Sequence, residues 1–336
     1  MRQSFPHLHV ASAYSPHYGV TMPDALVDQA AAAGADFLAL TDRDGLYGAV
    51  KHVRASAAAG IRAGLGADLA VHDDEHRPLG RVTLLAHGAD GRGYAALCRA
   101  VSSAHEAGRV PSIDRRRLAT WAEGRTLTVL LGPLSDVGLA VERRDSAESV
   151  AGLRAWLRVM PIGTVTLEVV CHLTPLAQLE EPQANGQAWL KDAQHMRQVA
   201  RMVVDAGARN PDALDQLLQA TLELADRCAL DPAADIGLGT PRMPEASIIG
   251  VVGDPVAELW RRARHGIDDR YAGTTLARAA HLELAHEMET VEHLGFAAYF
   301  LTVARVADLI RGMGVRVQAR GSGVGSVLNY ALRTSS

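Results

Sequence analysis

Two patterns of apolar and polar positions divide this chain. Up to about Val170, short apolar runs alternate with stretches whose apolar positions recur at three and four. His7–Val10, Phe37–Thr41, Ile61–Leu65, Val82–Ala86, Leu127–Leu131 and Val165–Val170 read as strands. Helices are predicted from Pro23 to a stop at Gly34, from about Tyr47 to a cap at Gly60, from about Gly93 to Ala107, and from about Ala147 to Val159. Pro23 suits a first helical position, with Asp24 in the first turn. Strands alternating with helices predict an α/β fold, a parallel sheet or a barrel. The strand after Gly34 ends in Asp42, and α/β folds place their chemistry at the carboxyl ends of strands.

From Gln187 the pattern turns helical. Trp189, Met196, Val199, Met202 and Val203 keep helical spacing, as do Leu214, Leu217, Leu218, Leu222 and Leu224, and both sets read as core stripes. Residues 231–255 are rich in Gly and Pro and read as a linker. A helix then starts at Asp254-Pro255 and carries Arg261, Arg262, Arg264 and His265, a cluster that suits a nucleic-acid backbone or a solvated face balanced by Asp268 and Asp269. Another spans His281–His293, with Glu283, Glu287, Glu289 and Glu292 on an exposed face. Leu294-Gly295-Phe296 breaks it, and Tyr299–Met313 is the next. The predicted organisation is a first domain at 1–230, a linker at 231–255 and a second domain at 256–336.

Composition narrows the function classes. The 336 residues are 48% hydrophobic, enough for a core, and the net charge of −4 gives no general pull toward nucleic acid. Aromatics at 4% argue against a surface of base-stacking platforms. Cys98, Cys171 and Cys228 form no CxxC pair, which argues against a zinc knuckle or a disulfide framework. The N-terminus has no apolar signal core, and no run of 18 apolar residues exists to span a membrane; a cytoplasmic protein is expected.

Two stretches carry candidate chemistry. Val315-Arg316-Val317 reads as a short strand, followed by Gln318-Ala319-Arg320-Gly321-Ser322-Gly323-Val324-Gly325-Ser326 and a helix start at Val327. Strand, glycine-rich turn and helix can present backbone N–H groups to an anion, and Arg320 can add a bidentate phosphate contact. The same glycines also suit a plain tight turn. No Gly-Lys-Ser/Thr follows, so this is not a Walker A loop. At the other end, His7 and His9 sit at i and i+2 of a strand, a workable start for a metal site with Asp42 and Asp68. His286-Glu287 opens an HExxH-like string, but position 290 is Thr and the motif fails.

Glu292–Ala304 leading into the Gln-Ala-Arg-Gly-Ser loop resembles the start of the palm in bacterial C-family DNA polymerases, the DNA polymerase III alpha subunits, most of all their error-prone branch. His7-Leu8-His9, Thr41–Gly48, Gly66-Ala67-Asp68, Leu84-Leu85-Ala86, Gly93-Tyr94 and Ser103-Ala104-His105 resemble the motifs of a PHP domain. The resemblance implies a PHP-type distorted (β/α)₇ barrel, here incomplete, then a mostly helical segment and the beginning of a polymerase palm. It implies DNA and an incoming dNTP as partners, with replication or repair proteins beside them, and Mg²⁺ as cofactor. Arg320, Gly321, Ser322, Gly323, Gly325 and Ser326 would then hold the nucleotide phosphates. The PHP ligand set is broken, however. Ala11, Arg43, Arg81 and Pro133 stand where the family has ligands, and Asp68 stands for its glutamate. His7, His9, Asp42 and Asp68 are read as a vestigial metal site. The family's nucleotidyltransferase carboxylates lie beyond the loop, in a Pro-Asp-x-Asp-type segment. The chain stops at Ser336, ten residues after Ser326, and has no acidic residue after Asp308. It is therefore expected to be inactive in DNA synthesis alone, with no catalytic residue assigned. A free-standing PHP phosphoesterase or 3′–5′ exonuclease, and a non-catalytic binding module, are the competing expectations.

Overall fold

The computed structural model describes residues 4–106, 110–170, 190–207, 210, 212–239, 242–317 and 321–335. The chain forms two compact units, Met1–Thr240 and Pro241–Ser336. No single helix among the described residues is long and apolar enough to cross a membrane.

The first unit runs β1 (His7–Val10), α1 (Pro23–Ala32), β2 (Phe37–Arg43), α2 (Ala49–Ala59), β3 (Arg62–His72), β4 (Pro78–Ala86), α3 (Arg92–Glu106), β5 (Ile113–Asp114), α4 (Arg115–Trp121), β6 (Leu127–Leu131), α5 (Asp136–Glu142), α6 (Ser146–Val159), β7 (Val165–Leu167), α7 (Ala193–Gly207) and α8 (Ala213–Cys228). One mixed sheet has the order β1-β2-β3-β4-β6-β7, with β5 beside β3. The sheet curls enough for His9 of β1 to touch Glu168, the residue after β7. This curled, half-barrel sheet with flanking helices bears out the predicted α/β fold class.

The expectation of a parallel sheet needs one correction. β1, β2 and β3 are parallel, as are β6 and β7, but β4 is antiparallel to both its neighbours. The turn explains it. Only residues 73–77 separate β3 from β4, and a parallel crossover needs a dozen or more residues. Asp73 builds that turn: its carboxylate accepts from Glu75 N and Arg77 N, each at 2.9 Å, and from Arg77 Nε at 2.8 Å. β3 also extends beyond the predicted Leu65 to His72, and Gly66 lets it approach β4, since a Cβ there would meet Leu84 O at 2.1 Å.

Both faces of the sheet are apolar. Leu38, Leu40, Leu84, Val129 and Leu131 join α1, α2 and α3 in the larger core. Phe37, Ala39, Leu85 and Leu130 pack with Leu224, Ala225 and Cys228 of α8. The predicted linker does not behave as one segment. Ile236 and Leu238 pack on the first unit's core, whereas Ala246, Ile249 and Val251 belong to the second's.

The second unit is helical: α9 (Pro255–Arg270), α10 (Ala277–Leu294), α11 (Ala297–Gly312) and α12 (Val327–Ala331), with one-turn 3₁₀ segments at Ala246–Ile249 and Ser322–Gly325. Asp254 caps α9 through Val256 N and Ala257 N, and Pro255 occupies its first turn. Gly295, with φ of 70°, ends α10. Leu259, Ile267, Leu284, Met288, Leu301 and Leu328 form the core. Val315–Val317 is not a strand, contrary to its apolar pattern. An isolated strand has nothing to bond to, and no strand among the described residues of this unit offers it an edge.

Candidate functional site

The predicted metal residues lie on the adjacent strands β1, β2 and β3, with His7 at the amino end of β1 and Asp42 near the carboxyl end of β2, and each is engaged by another partner. Asp42 closes the apolar β2 and is buried. Its carboxylate accepts from Ser12 N at 2.7 Å, from Ser12 Oγ at 2.8 Å and from Ser15 Oγ at 2.7 Å. The residues following β1 therefore fold back over it. Asp68, also buried, lies between two guanidiniums: Arg43 Nε donates to Oδ2 at 3.0 Å and Arg81 Nε to Oδ1 at 2.9 Å. Arg81 also reaches Asp44 Oδ1 and the Asp68 carbonyl oxygen, each at 2.8 Å. Arg43 is stacked against Tyr18, 3.2 Å from the ring centroid.

The two histidines part company. His7 Nε2 bonds the Lys191 carbonyl oxygen at 3.0 Å, and burial holds its pKa below the usual value. His9 Nδ1 meets Glu168 Oε1 at 2.8 Å, and Thr83 Oγ1 lies 3.3 Å from Nε2. Burial opposes its charge, but Glu168 and Asp68 outweigh it and push the pKa up to about 9. At neutral pH His9 is thus a cation paired with Glu168.

These residues do not fit a metal centre. A cation would need free carboxylate lone pairs and neutral imidazole. Here both oxygens of Asp42 and of Asp68 already accept hydrogen bonds, His9 is engaged by Glu168, and the guanidiniums of Arg43 and Arg81 lie against Asp68. Among the described residues, no group of three or more His, Cys, Asp or Glu side chains is arranged to hold a metal ion.

The second unit carries the glycine-rich loop. Gly321 has φ of 98° and ψ of −167°, a region open almost only to glycine. Ser322–Gly325 then makes a 3₁₀ turn, closed by Val324 N to Gly321 O at 3.2 Å and Ser326 N to Gly323 O at 3.3 Å. Asn329 Nδ2 donates to Gly323 O at 3.0 Å. Ser326 is the N-cap of α12 and accepts from Asn329 N. Glu287, from α10, accepts from Ser326 Oγ, Val327 N and Leu328 N. Arg320 lies outside the described residues, so the structure brings together Gly321, Gly323, Gly325 and Ser326 and the backbone of Ser322.

Sequence reasoning missed Ser12, Ser15, Thr83 and Glu168 at the first site and Asn329 at the second. Glu168 left a signal, since it is the one charge in the apolar run Val165–Val170. Glu287 was read as part of an exposed face. It is instead half-buried against α12, and Glu292 of the same set accepts from Trp260 Nε1. The α9 arginines favour the solvated-face alternative: Arg261 and Arg262 both bind Glu258, which they hold at a pKa of about 2, while Asp268 pairs with His281 and Asp269 with Arg333.

Comparison with known proteins matches both units. The PHP domain family model covers residues 7–172, and the model described as the bacterial DNA polymerase III alpha NTPase domain covers residues 257–336. The error-prone DNA polymerase of Corynebacterium diphtheriae is 28% identical over 369 aligned positions, which take in 98% of this chain and 33% of that protein. The DNA polymerase III subunit alpha of Escherichia coli is 29% identical over 381, with 98% and 32% covered. The chain thus spans about a third of the length of these curated relatives. A solved structure of a candidate metal-dependent phosphoesterase from Bifidobacterium adolescentis aligns at 13% identity over 60% of this chain and 97% of its own, with a TM-score of 0.34, too low to carry an argument.

Proposed function

We propose that this chain, which carries a PHP domain followed by the opening of a DNA polymerase III alpha domain, is a scaffolding part of an error-prone type of replicative or translesion DNA polymerase, acting on DNA in the cytoplasm. The observation that carries the non-catalytic half of this reading is the pairing of Asp68 with both Arg43 and Arg81. A PHP site that hydrolyses phosphoesters needs bound cations to activate water. Here the protein's own guanidiniums neutralise the Asp68 carboxylate in place of such cations. What the cluster supplies is cohesion. Asp68 on β3, Arg81 on β4 and Asp44 after β2 tie three segments through one guanidinium.

The second unit contributes to nucleotide binding rather than to bond making. The Gly321–Gly325 backbone, with Arg320, is suited to the triphosphate of an incoming dNTP. Two-metal nucleotidyl transfer needs carboxylates brought together around the metals, and among the described residues of this unit no group of three or more His, Cys, Asp or Glu is so arranged.

One assay tests both halves. The purified 336-residue chain is incubated with a primed DNA template, dNTPs and Mg²⁺ or Mn²⁺, and the primer is followed by length. The expected result is an unchanged primer. Template-dependent lengthening would overturn the non-synthetic reading. Metal-dependent shortening would restore a PHP exonuclease built on His7, His9, Asp42 and Asp68.

A further inference from the structure

The first unit has a cavity that belongs to neither site above. The end of α1 and the first turns of α7 enclose about 600 Å³, within the size range of small-ligand sites. One wall is made by Gln194, Arg197, Gln198 and Arg201 of α7. Spacings of three and four put all four on one face of the helix. His7 Nε2 bonds the Lys191 carbonyl oxygen at 3.0 Å, which ties the chain leading into α7 to β1. The donors of this wall are largely uncommitted. Among the described residues, the side chains of Gln194, Gln198 and Arg201 carry no hydrogen bond or ion pair, and Arg197 is paired with Asp215 at 3.2 Å in an exposed bridge. An exposed pair of that kind is worth little, so a ligand can displace it. The opposite wall is Ala32, Ala33 and Gly34. Neither the Ala32 nor the Ala33 carbonyl oxygen accepts from a backbone N–H among the described residues. These oxygens are the negative end of the α1 dipole. Asp192 adds a carboxylate at the rim of the cavity, with Oδ1 already accepting from His195 N at 2.9 Å.

The cavity is thus two-signed, with guanidinium and amide donors on one wall and carbonyl acceptors on the other. No aromatic ring and no large apolar side chain lines it. A nucleobase would have nothing to stack on, and a bare anion would leave the α1 carbonyls unanswered. We propose that this cavity binds a small aliphatic zwitterion, a short peptide with free ends. Its carboxylate sits on Arg197 and Arg201, which can grip it bidentately. Its ammonium sits on the Ala32 and Ala33 carbonyls, and Gln194 and Gln198 take the peptide groups between. The small residues of the α1 wall let the ligand approach the backbone closely: even a Cβ added at Gly34 would meet nothing within 4 Å. This site is separate from the Asp68 cluster and from the glycine-rich loop, and it rests on neither DNA nor nucleotide binding.

The test titrates trialanine into the full chain by calorimetry at low salt, with the NMR signals of the Gly34 amide and the Arg201 Nε followed alongside. Saturable binding that shifts both signals is expected. Trialanine amide, which lacks the carboxylate, is expected to bind about tenfold more weakly. N-acetyl-trialanine, which lacks the ammonium, is expected to bind more weakly than the parent peptide by a smaller factor. Arg201 is exposed, and Arg201→Gln is expected to fold and to lower the affinity for trialanine about tenfold. Arg201→Lys is expected to recover part of it, since lysine keeps the charge without the fork. No saturable binding of trialanine overturns the proposal, as does equal binding of the amide or of trialanine by Arg201→Gln. Tighter binding of inorganic phosphate or of adenosine monophosphate than of trialanine overturns it too, since the cavity would then take a bare anion or a nucleotide. Should Arg201→Gln not fold, the two blocked peptides decide the matter on the parent chain.

Discussion

The ion-pair cluster of Asp68, Arg43, Arg81 and Asp44, here called the mouth of the first unit, and the loop of the second have the same problem with opposite signs. At the mouth, the Asp68 carboxylate is neutralised by Arg43 and Arg81. At the loop, helix amides placed for an anion are filled by Glu287. In both, a protein side chain stands in for the ligand that the backbone geometry invites. The difference lies in how completely the substitution closes the site. Asp68 is buried and each of its oxygens accepts from a guanidinium, Arg43 on one and Arg81 on the other. The stand-in at the loop covers only the α12 end, and no hydrogen bond from Glu287 reaches Gly321 or Gly323. In the first unit the ion pairs tie strands together, while in the second the carboxylate caps one short helix.

The largest expected effect comes from breaking the mouth. Arg81→Ala removes the partner of Asp68 and Asp44 at once. Its side chain is 19% exposed and that of Asp68 10%, so solvent screens the loss only in part. Leaving a largely buried carboxylate half-paired is expected to cost the first unit about 3 kcal/mol, measured by urea unfolding with amide exchange read over β3 and β4. A cost below about 0.5 kcal/mol would mean that the cluster does not hold the sheet, and that the contrast with the loop is wrong.

Acid offers a second, slightly smaller probe of the same unit. His52 is fully buried in α2, with Nε2 bonded to the Leu38 carbonyl oxygen at 3.0 Å. Burial pushes its pKa down from 6.5 to about 4. The unfolded chain therefore binds a proton at His52 below pH 6.5 that the folded chain refuses. Stability falls as pH drops from 6.5 to about 4 and is level in this respect below that, a loss of up to about 3 kcal/mol. In His52→Gln the slope of stability against pH over that window is expected to flatten. An unchanged slope would move the acid sensitivity to the ion pairs of the mouth.

How much of this was legible in the chain follows from where each stand-in sits. Arg43 and Arg81 lie next to strands that the short apolar runs already placed, so a concentration of guanidiniums near Asp68 was an expectation the sequence could raise. The antiparallel turn of β4 was legible in principle from the short 73–77 spacing, but the apolar run Val82–Ala86 looks the same in either direction. Glu168 and Glu287 were not legible as partners. Each meets its partner across a long loop of sequence, His9 in one case and Ser326 in the other, and local periodicity carries no record of such a meeting. Glu287 was misread for a physical reason. Surface and cap positions on a helix share the same polar spacing, and only the arrival of α12 distinguishes them.

The smallest effect sharpens the comparison at the loop. Ser326→Ala deletes one hydroxyl that donates to Glu287 and accepts from Asn329 N. Loss of an N-cap typically costs about 1 kcal/mol, less than the mouth variant because Val327 N and Leu328 N keep their carboxylate. Amide exchange at Asn329 is expected to speed up while Val327 and Leu328 stay protected. That split pattern is the signature of two caps acting on one short helix, Ser326 from within the loop and Glu287 from α10. If all three amides loosen together, Ser326 is what holds Glu287 in place, and the loop's stand-in is no more than an extension of its own N-cap.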